Sequence, residues 1–294
     1  MSEYTGEIRI SKEILARVVE AYRKLRNTMR VLLGNLYDFD PAADRVAAAE
    51  MLEVDRFILA RYGQLAQKML TCYGEYDYST LSQALNAFIT VDLSALYVDI
   101  SKDRLYTLGA KSRERRSAQT AMFAIADGLT RLLAPILPVT AEHLWLALPG
   151  RRDESVHLTL FPTANEVASL VDADLLARWD RLIEVRDQVL GQIEPLRMAK
   201  QIGSSLQARV VLTASGADLQ LLQRYSESLP MLFIVSEVDV RSAAGNAPIA
   251  VTIERAGGVK CERCWRYVHS VSSDPAWAGL CERCQEALAE TVNG

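Results

Sequence analysis

The chain has 294 residues, half of them apolar and about a quarter charged, with a formal net charge of −4. That is the composition of a globular protein of two or three domains. It excludes a general polycation, so any nucleic-acid contact has to come from local basic patches. The N-terminal MSEYTGEIRIS lacks the basic-then-apolar pattern of a secretory signal, and no apolar run reads as the ~20 residues needed to cross a bilayer, so the chain is expected in the cytosol.

The first element predicted is a helix from Ser11 to about Leu36, with Ser11 as N-cap and Glu13 in the first turn. Val18, Tyr22, Leu25, Met29 and Leu32 fall on one stripe at helical spacing and are expected to face a core. Arg23, Arg26, Asn27 and Arg30 share a neighbouring face, within roughly a third of the circumference at ~100° per residue. Asp38-Phe39-Asp40-Pro41 should end this helix, because proline disfavours helical geometry in the residue before it. A second helix is predicted from Met51 to Tyr73, with Val54, Ile58, Tyr62, Leu65, Met69 and Tyr73 inward, and a third from about Thr80 to Leu96. A fourth, from near Lys111 to Pro135, carries Met122, Ile125, Leu129, Leu132 and Leu133. A short helix over AEHLWLAL closes what reads as a bundle.

Past Gly150 a polar stretch leads to a long helix, Asp174 to Lys200, in which Pro195 should give a kink or an early stop. Strands are expected over Leu206–Thr213, Leu232–Val240 and Ile249–Ala256, with a helix near Ala217–Ser226 between the first two. The fold class is therefore mainly α. A helical bundle (1–165) is followed by a helix with a small α/β element (166–256) and a cysteine-rich module (257–294).

That last module carries two CERC sequences in the spacing C-x2-C-x16-C-x2-C: Cys261, Cys264, Cys281 and Cys284. Paired cysteines on tight turns point both thiolates at one place, and two such knuckles complete a tetrahedron around one structural Zn2+. Four protein ligands leave no open position for a substrate. A segment this short buries little core, so the metal should supply much of its folding energy. Two disulfides or a redox pair are the alternative, although a redox CxxC ordinarily precedes a helix in a thioredoxin-like setting. The fifth cysteine, Cys72, sits on an apolar helical face and reads as packing. Trp265, Arg266 and Tyr267, just after the first knuckle, are suited to stacking on an unstacked base and to contacting phosphate.

Together, RVVEAYRKLRNTMRVLLGNLYDFDP, LLAPILPVTAEHLW, AKQIGSSLQARVVL and the closing KCERCWRY and GLCERC resemble, in order, the C-terminal third of the bacterial isoleucyl-tRNA synthetases, class I. The first two segments are shared more loosely with the valyl and leucyl relatives. The resemblance implies an anticodon-binding bundle in which Arg23, Arg26, Asn27 and Arg30 face the anticodon arm of tRNA(Ile). It implies a zinc module, with Trp265, Arg266 and Tyr267, that helps to hold the anticodon loop. It also implies a monomer with no membrane partner, working with the catalytic and editing domains of a full-length chain, where ATP and Mg2+ would act. The adenylation signatures of that family, of HIGH and KMSKS type, are missing. The three histidines lie in AEHLW, SVHLT and YVHSV, and no phosphate-binding glycine loop is present. The chain is thus expected to be a piece of a longer enzyme, with no catalytic residues and no amino-acid activation of its own. A stand-alone tRNA-binding paralogue would show the same residues. A zinc-dependent protein adaptor would not bind tRNA in a salt-sensitive way. A hydrolase built on Glu142 and His143 rests on a single Glu-His pair.

Overall fold

Helix α1 (Lys12–Gly34) starts where Ser11 predicts: Ser11 is extended, and its hydroxyl accepts the Ile14 N–H at 3.2 Å. In this computed structural model, which describes residues 10–245 and 247–292, Leu25, Met29 and Leu32 are buried as the stripe requires. Val18 and Tyr22 are not: they remain 42% and 38% exposed, beside exposed Leu15 and Val19. Val18 and Tyr22 line an open groove with Leu85, Ile89 and Ile136, and the Tyr22 and Thr140 hydroxyls lie 2.9 Å apart, so this part of the stripe is only partly covered. The helix also stops four residues short of Asp38. Gly34 and Asn35 end it, and the chain turns so that the Asp38 carboxylate meets Arg115 (2.9 Å), Arg116 (3.6 Å) and Gln119 (2.7 Å). Asp38, rather than the proline, organises that exit.

The described part of Met1–Asp99 together with Lys111–Leu176 forms one compact unit. Helix α2 (Glu53–Glu75) buries Val54, Ile58, Tyr62, Leu65 and Met69, and Cys72 with them; Tyr73 is half-buried, its hydroxyl donating to the Leu132 carbonyl at 2.6 Å. Near the start of α2 the buried Asp55 carboxylate accepts from Tyr97 (2.7 Å) and Ser117 (2.5 Å), so this carboxylate in the first helical turn is fully partnered. Helix α3 (Tyr78–Ala87) passes into a π-helical stretch (Phe88–Val98) and on into α4 (Asp99–Thr107). The wider turn brings Phe88, Leu93 and Tyr97 inward together. The run Tyr78–Thr107 is thus longer than the expected helix, and by length and mean hydropathy it would suffice to cross a bilayer. Half of its apolar window is buried, and its Asp92 pairs with Arg61 at 3.7 Å, as suits a core helix of a bundle.

Helix α5 (Arg113–Leu133) is the centre of this unit, with Met122, Ile125, Leu129, Leu132 and Leu133 fully buried and Ser112 as its cap. Gly128 lets α5 approach α2 closely: a Cβ there would fall 1.7 Å from the Tyr62 hydroxyl. Helix α6 (Pro138–Ala147) follows, and then α7 (Ala164–Ser169), which the sequence reading passed over although Thr163 and Glu166 form a capping box.

The second unit comprises Ile100–Ala110 and the described part of Ala177–Gly294. Helix α8 (Ala173–Met198) contributes the buried row Trp179, Leu182, Val185, Val189 and Ile193; it continues three residues past Pro195 and no further. Strand β1 (Ala208–Ala214) lies between β2 (Glu237–Ser242), parallel to it, and β3 (Ala250–Arg255), antiparallel. Val210 stands opposite Val238 and Ile253. Helices α9 (Gly216–Arg224) and α10 (Leu229–Phe233) make the crossover from β1 to β2. Leu232 and Phe233, expected in a strand, are therefore helical. Pro230 suits a first helical turn, and Ile234 ends it in the left-handed region (φ 56°). The Arg186 Nε donates to the Leu232 carbonyl at 2.9 Å and ties α8 to α10. The chain ends its described part with a two-stranded hairpin, β4 (Val259–Lys260) and β5 (Tyr267–Val268), and helix α11 (Glu282–Val292).

Candidate metal centre and nucleic-acid interface

Each cysteine pair is presented by a different local device. The first lies in the tip of the β4–β5 hairpin, where the Cys261 N–H donates to the Arg266 carbonyl (2.9 Å) and the Trp265 N–H to the Cys261 carbonyl (2.9 Å). The second opens α11: the N–H groups of Cys284 and Gln285 both reach the Cys281 carbonyl, at 3.0 and 3.1 Å. The four Sγ atoms are buried and lie within 4.8 Å of one another, with Cys264 and Cys281 3.8 Å apart. Among the described residues no disulfide joins them. A tetrahedron of thiolates at ~2.3 Å from zinc has edges of ~3.8 Å, so the donor set fits that ion in number, chemistry and spacing.

Electrostatics prepare the same site. Burial pushes the Cys281 and Cys284 thiols up, Cys284 to about 12. At Cys261 burial is outweighed by the N–H groups of Cys264, Cys281 and Arg263, which lower it to about 6; the Cys281 N–H lies 3.3 Å from its sulfur. Metal uptake displaces protons from the thiols, so it weakens as pH falls.

The residues beside the first knuckle go to different places. Trp265 is 59% exposed, with the Lys260 ammonium 5.3 Å from the centre of its ring. Its backbone is left-handed (φ 64°), a region costly for a bulky side chain. Tyr267 is half-buried against the α/β element. Its N–H donates to the Ser236 hydroxyl at 2.7 Å, and Gln207 Nε2 lies 3.4 Å from its own hydroxyl. Arg266 is taken up by Asp103 of α4 at 3.0 Å, as is Arg283 at 2.6 and 2.9 Å. Burial raises the Asp103 carboxyl, but Arg283 and Arg266 overcome that and hold it below its ordinary value. The sign follows: the folded state keeps this contribution above the usual carboxylate range and loses it as pH falls through the depressed value. Sequence reasoning missed Asp103 and Lys260, and for Asp103 no local signal exists.

On α1 the side chains of Arg23, Arg26, Asn27 and Arg30 are all exposed. Arg23 pairs with Glu20 at 3.2 Å, a solvated contact of small energetic weight. Among the described residues Arg26 and Arg30 form no ion pair. Glu142 does not form a base with His143: its carboxylate accepts from the Ser155 hydroxyl (2.9 Å) and the Val156 N–H (3.1 Å), pinning the segment after α6.

Comparison with known proteins bears on both regions. Residues 258–287 match the family described as a zinc finger found in FPG and IleRS. Over 299 residues the chain is 45% identical to the isoleucine–tRNA ligase of Syntrophotalea carbinolica, covering 98% of this chain and 32% of that protein. The isoleucine–tRNA ligases of Bacillus mycoides (41%) and Geobacter sulfurreducens (42%) are similar over 98% and 97% of the chain and 32% of their own length. The chain thus spans about a third of the length of these relatives. Residues 55–212, more than half of the chain and most of its helical part, match the family described as the anticodon-binding domain of tRNA ligase, and to that family the chain belongs.

Proposed function

We propose that the chain is the portion of an isoleucine–tRNA ligase that grips the anticodon arm of tRNA(Ile), as a monomer in the cytoplasm. The observation that carries this reading is the exposed Trp265, held in a left-handed backbone on a metal knuckle with Lys260 against its ring. A large aromatic left in solvent at a conformational cost is a stacking surface for a splayed base. In this reading the division of labour follows the three segments 1–165, 166–256 and 257–294. The bundle offers phosphate contacts from Arg23, Arg26, Asn27 and Arg30, the middle segment joins the parts, and the C-terminal module holds one structural Zn2+ through Cys261, Cys264, Cys281 and Cys284. Arg266 and Tyr267 support the module, through Asp103 and Ser236, more than they reach for RNA. ATP and Mg2+ belong to the catalytic part of such a ligase.

Zinc bound to the four thiolates would supply a fixed tetrahedral junction and no reactive position. The chain's own residues do the recognising. Exposed guanidiniums on α1 give affinity through phosphates with little sequence choice, and the tryptophan gives a contact that depends on a base being unstacked.

Replacing Arg26 and Arg30 together by alanine tests the α1 half of this proposal. The variant is expected to bind all tRNAs more weakly by a similar factor. Its log Kd against log salt should lose roughly 0.7 to 0.9 in slope for each phosphate contact removed. Fluorescence titrations at several salt concentrations read both quantities. An unchanged slope would leave the arginines as solvated surface and the bundle without this role.

A further inference from the structure

Each CERC loop carries an arginine between its cysteines, and neither arginine is simply solvated. Arg263 donates to the Thr107 carbonyl at the end of α4, and the same nitrogen lies 3.7 Å from Cys284 Sγ. Arg283 grips Asp103 with two nitrogens, at 2.6 and 2.9 Å. Arg263 thus bridges α4 and a thiolate of the opposite knuckle, and Arg283 ties the second knuckle to the same helix. Arg266 adds a third contact to Asp103 at 3.0 Å, and the Thr107 hydroxyl donates to the same carboxylate at 2.9 Å. Four thiolates around a divalent cation carry a net charge of roughly −2, and two inward guanidiniums are the matching counter-charge.

We propose that Asp103 is the positioning residue of the metal module: its carboxylate aligns Arg283 and Arg266 so that the guanidiniums of the knuckles lie against the thiolates and the module, Trp265 included, is fixed on the end of α4. Asp103 touches no metal. It acts through the arginines, as an outer carboxylate acts through a ligand it orients. Without it, Arg283 loses the partner that sets its direction and the thiolate charge loses part of its compensation. The consequence for RNA rests on the function proposed above, whereas the consequence for the metal does not.

The test uses the full zinc-loaded chain and its Asp103→Asn, Asp103→Glu and Arg283→Lys variants. Zinc transfer to a chromogenic chelator at neutral pH is the first readout, and hydrogen exchange over residues 100–110 and 259–268 the second. Asp103→Asn is expected to release zinc about tenfold faster, and to lose exchange protection in both segments, with one zinc still bound per chain at the start. Asp103→Glu should recover most of the wild-type rate. Arg283→Lys, which keeps the charge but not the two-pronged geometry, should release zinc severalfold faster and serves if the asparagine variant fails to fold. Wild-type release and wild-type protection in these variants would overturn the proposal. Binding of an isoleucine anticodon stem-loop, measured in parallel, should weaken with Asp103→Asn. If the wild-type chain binds no RNA while zinc release still accelerates, the positioning role stands and the proposed function fails.

Discussion

Cys264→Ser is expected to leave the purified chain without stoichiometric zinc and with its C-terminal module unfolded. Serine keeps the size but not the soft thiolate that zinc favours, and three remaining ligands cannot close the tetrahedron. The effect should be large because binding and folding are one event here. The short β4–β5 hairpin and α11 enclose little besides the four sulfurs, with Val268, Val271 and Leu280 packed against them. In small zinc modules the apparent binding energy is about 10–16 kcal/mol, most of which appears as folding energy. The remaining helices have cores of their own, through α2 and α5 in the first unit and α8 in the second, so far-ultraviolet circular dichroism should fall by little more than the share of α11. Elemental analysis after dialysis checks the stoichiometry. One zinc per chain in Cys264→Ser, or a wild-type chain free of zinc with its cysteines in disulfides, would contradict this reading.

The second large effect is expected at Gly258, where the chain enters the hairpin. Its φ is +86°, and a Cβ there would lie 2.1 Å from the carbonyl oxygen of Val268 and 2.8 Å from its carbon. Both are backbone atoms fixed by the β4–β5 pairing, so the obstacle cannot swing aside as a side chain could. Gly258→Ala combines the left-handed cost of about 1–2 kcal/mol with a backbone clash, and we expect a total of about 3–4 kcal/mol, near the top of the range for single substitutions. Gly257→Ala is the control, because a Cβ at Gly257 meets nothing within 4 Å. Chelator-driven zinc release should therefore accelerate strongly in the first variant and hardly in the second. Equal rates in the two would show that the close approach to Val268 does not govern the hairpin.

What could be read from sequence was what is local. The stripe of α5 was legible because Met122, Ile125, Leu129 and Leu132 recur at helical spacing and every one of them packs inward. The convergence of the four sulfurs was legible because two CxxC turns carry their geometry with them. Burial of Val18 and Tyr22 was not, since periodicity shows that a helix has an apolar face and not whether the chain covers it. The strand expected at Leu232 failed for a related reason. Apolar residues at a short helix and at a buried strand look alike, and Pro230 was the overlooked sign of a helical first turn. Asp38 was legible only as part of a helix stop and Asp103 not at all, yet each is surrounded by arginines from distant segments. The π-helical stretch after Ala87 left no mark that composition could reveal.

The central claim, that the exposed tryptophan on the metal knuckle reads an unstacked anticodon base, is tested most directly by one titration. Zinc-loaded wild-type chain and Trp265→Ala are each titrated with the anticodon stem-loop of isoleucine tRNA and with a non-cognate stem-loop. The expected result is a loss of about 1–3 kcal/mol on the cognate RNA, with little change on the non-cognate one and zinc fully retained. The gap between the two RNAs should narrow accordingly. Unchanged affinity for both RNAs in a variant that keeps its zinc would contradict the claim.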